Sequence, residues 1–98
     1  MNIQAMMKQA QKLQKDMMNA KNEIDNKEFE VTKNFVQIKA TGNKKIKSIK
    51  INSDEITKDE IEILEDLMLV AMNELMDNID KETEEKMGKY TQGMPGLF

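Results

Sequence analysis

Apolar residues recur every three or four positions from Asn2 to Asn26, without an intervening Gly or Pro. This spacing is typical of an amphipathic helix with a coiled-coil seam. The seam comprises Ile3, Met6, Ala10, Leu13, Met17, Ala20 and Ile24. We therefore predict a first helix within residues 1–26, whose seam packs against another helix.

The period falls to two between residues 28 and 52, which predicts half-buried strands joined by tight turns. The predicted turns are Lys33-Asn34 and Gly42-Asn43, because Gly and Asn tolerate a positive φ. Ile46 is out of step with Ile49 and Ile51, so a bulge or an edge contact is expected there. The predicted inward residues are Phe29, Val31, Val36, Ile38, Ala40, Ile49 and Ile51.

The segment 57–90 returns to helical spacing. Thr57 and Glu60 have the spacing of a capping box, which predicts that the helix starts there. One face repeats at steps of three and four, but the middle of the segment is apolar on other faces too, so more than one side needs cover. We therefore expect a second copy of the chain to cover one side, at Leu67, Met68, Val70, Ala71, Met72 and Leu75.

These elements predict one α+β domain over residues 1–98, with a helix (1–26), a three-stranded antiparallel meander (28–52), a long helix (57–90) and a tail (91–98). The tail holds two Gly and one Pro and ends in Leu97 and Phe98. We expect it to be mobile or to lie against a neighbour.

The composition argues against several function classes. The chain has no Cys, His, Trp or Arg, so disulfide chemistry is excluded and the usual general acid/base residue is missing. No Gly-rich phosphate loop or metal-ligand motif occurs, and the carboxylate rows of the last helix are interpreted as solvated surface. No stretch is long enough to cross a membrane. We expect a cytoplasmic protein that is not an enzyme and uses no cofactor, metal or small-molecule substrate.

The net charge of −3 conceals a division along the chain. Residues 1–52 hold eleven Lys and five acidic residues, whereas residues 53–98 hold four Lys and thirteen acidic residues. This asymmetry indicates a polyanionic partner for the basic part. The alternative is that the two parts attract each other, within a chain or across a dimer.

Lys8, Lys12 and Lys15 align on the first helix, opposite its seam. A nucleic-acid contact and an ordinary solvated face are both compatible with this stripe. The predicted sheet also has a basic rim, comprising Lys39, Lys47 or Lys50, and Lys44 and Lys45 at the turn. Lysines on strands equally serve to prevent edge-to-edge pairing.

The chain resembles the YbaB/EbfC family of nucleoid-associated proteins in four features that follow in the same order. They are the segment Met7–Gln14, the meander with Gly42, the segment Leu64–Leu67 with Ala71 and Asn73, and the closing Gly93–Phe98. The resemblance implies an α-β-β-β-α protomer, a tweezer-like homodimer and binding of double-stranded DNA at the nucleoid of a bacterium. It also implies an influence on gene expression or DNA repair.

The side chains predicted to contact DNA phosphates are Lys8, Lys12, Lys15, Lys21, Lys86 and Lys89. Lys makes point-charge contacts where Arg would make bidentate ones, so weak sequence preference is expected. The acidic last helix has to lie away from the duplex. The competing interpretation is a protein-interaction module or adaptor that uses the Met-rich helices and the tail.

Overall fold

The computed structural model describes residues 2–91, with Thr91 described by its backbone alone. The elements are helix α1 (Ile3–Asn26), strands β1 (Glu28–Lys33), β2 (Val36–Thr41) and β3 (Ile46–Ile51), a 3₁₀ turn (Lys58–Glu60) and helix α2 (Ile61–Thr91). The three strands form an antiparallel meander in the order β1-β2-β3. The predicted α+β class and α-β-β-β-α order are confirmed. Beyond Thr91, the predicted tail lies outside the described residues.

Helix α1 begins at a side-chain cap. The Asn2 Oδ1 atom accepts hydrogen bonds from the backbone N–H groups of Gln4, at 3.0 Å, and Ala5, at 3.4 Å. Two donors of the first turn are thereby satisfied. Of the seven seam residues, only Ala20 and Ile24 are buried. The predicted seam is therefore packed at its C-terminal end alone.

The core lies between α2 and one face of the sheet, called the inner face here. Alternate residues of β2 are fully buried, as expected for a strand with one face against a helix. Helix α2 contacts β1 and β2 on this face. The core comprises Val31, Val36, Ile38, Ala40, Ala71, Leu75 and Ile79.

Strand β3 extends the same sheet but is exposed at every position. Its isoleucines Ile46, Ile49 and Ile51 pair with Ala40, Ile38 and Val36 of β2, so they share the inner face. The expected orientation of Ile49 and Ile51 is confirmed, but α2 does not extend over them. The bulge expected near Ile46 is also present. The register skips Lys47, which returns Ile46 to the inner face.

The first hairpin turns one residue later than predicted. Lys33 pairs with Val36 as the last residue of β1, and the turn is formed by Asn34 and Phe35. Asn34 has a φ of 52°, a conformation that Asn tolerates better than most residues. The side chain that favours the turn therefore sits inside it.

The capping box predicted at the start of the long helix is wrong. The Thr57 Oγ1 atom contacts Glu60 Oε1 at 2.9 Å, while the Glu60 N–H donates to the Thr57 carbonyl at 3.0 Å. A 3₁₀ turn thus uses the backbone carbonyl for the donor that the hydroxyl was expected to satisfy. Helix α2 starts at Ile61, four residues after the predicted start, and continues through Gly88 to Thr91.

The β2–β3 turn contacts both helices. The Gly42 N–H donates to the Lys27 carbonyl at 3.0 Å, and a Cβ atom on Gly42 would lie 1.8 Å from the Ile24 carbonyl oxygen. Lys44 pairs with Asp80 of α2 at 2.6 Å. The C-terminal end of α1 is therefore fixed against both the sheet and α2.

Candidate nucleic-acid interface

The two helices run antiparallel where they meet. Lys27 pairs with Glu82, and Glu23 pairs with Lys86, so residue numbers rise along α2 in the direction in which they fall along α1. A shallow cavity lined in part by Asp16 of α1 and Tyr90 of α2 lies near the described end of α2. Every α1 residue before Met17 is exposed. Among the described residues, α1 therefore projects beyond α2 by its N-terminal half.

Lys8, Lys12 and Lys15, the α1 lysine stripe, lie on this projecting half. Their spacing of four and three places them on one face, over about 10 Å of helix axis. Residues 2–15 contain no acidic side chain. All three lysines are exposed, and none forms an ion pair within residues 2–91. The stripe is thus a positive surface without an ion pair to any carboxylate of residues 2–91, although Asp16 directly follows Lys15.

The other three predicted DNA contacts have partners. Lys21 pairs with Asp25 at 2.6 Å, one helical turn away. Lys86 pairs with Glu23, and the hydrogen bond and the charge of Lys86 lower the pKa of that carboxyl. The Lys89 ammonium lies 5.0 Å from the centre of the Tyr90 ring. Lys86 and Lys89 lie beside α1, near the base of the projecting half, but their charges are less available than those of the stripe.

Some charges of the acidic part of the chain are paired with charges of the basic part. Four ion pairs join the two parts within the described residues: Lys27–Glu82, Lys33–Glu74, Lys44–Asp80 and Lys86–Glu23. Attraction between the two parts thus accounts for these lysines. It does not account for the stripe, which lies outside the reach of α2. The attraction between the two parts therefore explains the paired lysines, and a polyanionic partner for the stripe stays a prediction.

The basic rim predicted on the sheet is divided in the same way. Lys39 pairs with Glu28 at 3.7 Å, and Lys44 pairs with Asp80. Lys45, Lys47 and Lys50 are exposed and form no ion pair within residues 2–91. These three were not among the predicted DNA contacts, although the run from residue 42 to residue 53 contains four lysines and no acid.

The residues predicted for a dimer interface occupy different environments in the protomer. Ala71 and Leu75 are fully buried in the protomer's own core. Leu67, Met68 and Met72 are half-buried against that core, and Val70 is exposed. The dimer stays a prediction, and two of its six residues are already enclosed within one chain.

The described residues contain no group of three or more His, Cys, Asp or Glu side chains that could hold a metal ion. Neither described helix has an apolar stretch of the length needed to cross a bilayer.

A family model described as the YbaB/EbfC DNA-binding family matches residues 1–94. The chain belongs to the YbaB/EbfC family. Its curated relatives include a nucleoid-associated protein of Ligilactobacillus salivarius, 44% identical over 99 residues that cover 99% of this chain and 95% of the relative. A nucleoid-associated protein of Enterococcus faecalis is 42% identical over 98 residues, covering 98% and 94%. One from Clostridium novyi is 43% identical over 102 residues, covering 100% and 90%.

This membership confirms the resemblance found in the sequence motifs. The YbaB/EbfC description names DNA binding, and the names of these bacterial relatives place them at the nucleoid. In this family member, the projecting half of α1 is the candidate nucleic-acid interface, since it carries the unpaired α1 lysine stripe.

Proposed function

We propose that this YbaB/EbfC protein is a cytoplasmic, nucleoid-associated protein that binds double-stranded DNA as a homodimer with weak sequence preference. The observation that carries the proposal is the α1 lysine stripe, because it is exposed and free of ion pairs within the described chain. DNA binding would in turn affect gene expression or DNA repair.

The lysines would act by neutralising phosphates. Each ammonium that replaces a condensed counterion releases that ion into bulk solution, so binding weakens as salt rises. The absence of Arg removes the side chain best suited to bidentate contacts with guanine edges. Affinity would therefore depend on the DNA backbone more than on its sequence.

The projection of α1 reduces repulsion between the duplex and α2. Lys8 lies eight residues before Asp16, which lines the cavity beside Tyr90, near the described end of α2. Eight helical residues correspond to about 12 Å. A duplex that contacts α1 near Lys8 can therefore approach that lysine from a side that the acids of α2 do not occupy.

The proposed dimer follows from the uncovered inner face of β3. Asp80 pairs with Lys44 of the β2–β3 turn, so the flank of α2 that carries Asp80 faces the β3 side of the sheet. Met76, Met72 and Leu69 precede Asp80 by four, eight and eleven residues and share that flank. We infer that they form, with the three isoleucines of β3, an apolar surface on which Leu69 is 62% exposed. A second copy of the chain would bury it.

Ile49 and Ser48 provide a matched test of the dimer, because they are neighbours on opposite faces of β3. Ile49→Glu places a charge on the apolar surface and should convert a particle of about twice 11.3 kDa into one of 11.3 kDa in light scattering. Ser48→Glu should leave the mass unchanged. A wild-type protein of 11.3 kDa at micromolar concentrations would refute the dimer.

The DNA contact is tested by a mobility-shift assay at 50 and 200 mM salt. Lys8→Glu/Lys12→Glu should abolish the shift at both concentrations without changing the mass. Lys58→Glu/Lys81→Glu is the control, because both lysines are exposed and unpaired within residues 2–91 but lie outside the stripe. If the stripe contributes six contacts per dimer, wild-type affinity should fall about a thousandfold between the two concentrations. Equal shifts for the two variants would show that the stripe is not the DNA interface.

The second candidate is a protein-interaction module or adaptor. It is favoured by the exposure of Ile3, Met6, Met7 and Leu13 on the projecting half of α1. Met6→Ser/Leu13→Ser distinguishes the candidates, since it leaves the stripe intact. A protein partner that survives nuclease treatment and is lost in this variant would support the second candidate.

A further inference from the structure

We propose that Lys45, Lys47 and Lys50, the β3 rim, form a second DNA-phosphate contact surface, separate from the α1 lysine stripe. This inference rests on the proposed function, since it assumes that the protein binds double-stranded DNA. It adds a contact on the sheet.

The outer face of the sheet carries an ordered arrangement of charge. Glu28 of β1 pairs with Lys39 of β2 at 3.7 Å, and Glu30 of β1 accepts a hydrogen bond from the side chain of Gln37 on β2. The carboxylates of β1 are thus engaged by the middle strand. Lys50 of β3 lies opposite the same Gln37, which carries no charge. No acid of the described sheet therefore pairs with the lysines of β3.

The bulge in β3 adds to the exposure of these lysines. Lys39 pairs with Ser48 and Ala40 with Ile46, so Lys47 is the extra residue that the register skips. An extra residue is left out of the ladder and bends the strand locally. Lys45 precedes the strand at the turn. The rim thus gathers three positive charges at a free sheet edge.

The position of the rim separates it from both the stripe and the acidic helix. The turn beside the rim is fixed to the C-terminal end of α1 through Gly42. Lys15 is twelve residues before Lys27, about 18 Å along the helix axis, so the rim lies well away from the stripe. Helix α2 packs on the inner face. Phosphates could therefore reach Lys50 on the outer face without meeting the exposed acids of α2.

Lysines on an edge strand also prevent edge-to-edge pairing, and this role makes a different prediction. A guarding lysine affects solubility and leaves the salt dependence of DNA binding unchanged. A phosphate-contacting lysine changes that dependence. Each lost contact reduces the absolute slope of log affinity against log salt by about 0.9, so the dependence becomes less steep.

The experiment compares Lys47→Gln/Lys50→Gln with Lys58→Gln/Lys81→Gln, which makes the same change in charge away from the rim. The affinity for a duplex of random sequence is measured by fluorescence anisotropy between 50 and 300 mM salt. Loss of the contacts should lower the slope by about 2 if one protomer's rim contacts DNA and by about 4 if both do. The control should keep the wild-type slope.

A rim variant with the wild-type slope would overturn the inference and leave the proposed function intact, provided that the wild type binds DNA. A variant that aggregates in sizing, while its soluble fraction keeps the wild-type slope, would show an edge guard only and also overturn it. A wild-type protein without DNA binding would overturn the proposed function and this inference together.

Discussion

The two halves of α1 have the same hydrophobic spacing and opposite surroundings. In the C-terminal half, Ala20 and Ile24 are buried. In the N-terminal half, Ile3 is 71% exposed, and Leu13 is exposed as well. A regular seam therefore specifies the helix and its apolar face, whereas the cover depends on how far α2 and the β2–β3 turn extend along it.

The lysines of the two halves differ in the same way. The C-terminal half of α1, fixed to the sheet and α2, is called the anchored half here. Lys21 in that half pairs with Asp25, while Lys12 in the projecting half has no carboxylate partner within residues 2–91. The Lys21–Asp25 pair is local to α1, but at the anchored end α2 also supplies Glu82 to Lys27, whereas the projecting half lies beyond the described end of α2. The half of α1 that contributes least to the protomer's stability is thus the half best suited to bind a polyanion.

The largest effect on stability is expected from Gly42→Ala, which disrupts the contact between the β2–β3 turn and the anchored half of α1. The added Cβ would lie 1.8 Å from the carbonyl oxygen of Ile24 and 2.6 Å from its carbonyl carbon, so backbone must move. We expect the free energy of unfolding to fall by about 4 kcal/mol, at the upper end for single substitutions. Urea denaturation followed by circular dichroism measures it.

Gly88→Ala is the control for that substitution. Among the described residues, a Cβ on Gly88 would meet no atom within 4 Å outside its chain neighbours and its own stretch of helix backbone, and the residue lies inside α2. Ala is favoured over Gly in a helix by about 1 kcal/mol, so this variant should be slightly more stable than the wild type. Similar destabilisation by both substitutions would contradict the close approach of the turn to α1.

Truncating the seam in each half tests the contrast in packing. Ile24→Ala removes a fully buried side chain and should lower the free energy of unfolding by about 3 kcal/mol. Ile3→Ala removes an exposed one and should change it by less than about 0.5 kcal/mol. Chemical denaturation at one fixed protein concentration compares them. An equal loss in both variants would show that the projecting half is covered in solution.

Single lysine substitutions test the contrast in charge. Lys12→Ala should lower the salt slope of DNA binding by about 2, since a dimer carries two copies. Lys21→Ala should change the slope less, because Asp25 already holds that ammonium at 2.6 Å. Anisotropy titrations at several salt concentrations give both slopes. A larger change for Lys21→Ala would reverse the assignment of the interface.

The smallest effect concerns the ion pair at the base of the projecting half. Lys86 lowers the pKa of Glu23 in the folded protein, so the pair stabilises the fold above the ordinary glutamate value of 4.5. The stabilisation is lost as the pH falls through the lowered pKa. Glu23→Gln should therefore be slightly less stable than the wild type at pH 7, and the difference should be smaller at pH 3. A stability difference that is the same at both pH values would contradict the pair's contribution.

Much of the fold could be predicted because local patterns determine it. The alternation at Val36, Ile38 and Ala40 indicated a half-buried strand, and the broken parity at Ile46 indicated the bulge. The start of α2 was missed, because a 3₁₀ turn and a capping box both bring Thr57 close to Glu60. Local spacing does not distinguish them.

The candidate site was predictable only in part. The sequence places Lys8, Lys12 and Lys15 on one helical face, because that depends on the helical repeat alone. The pairing of Lys86 with Glu23 depends on where α1 and α2 cross, across 63 positions in sequence. The lack of ion pairs at Lys47 and Lys50 likewise depends on the strand order of the sheet. Partners distant in sequence decide which lysines remain available.

Site-directed cross-linking tests the central claim, that DNA lies against the projecting half of α1, most directly. The chain has no Cys, so Gln11→Cys beside the stripe and Asp77→Cys on the exposed surface of α2 can each carry a single photoactivatable group. Irradiation with a labelled duplex should cross-link DNA to position 11 and leave position 77 unmodified. Cross-linking at position 77 with none at position 11 would contradict the claim.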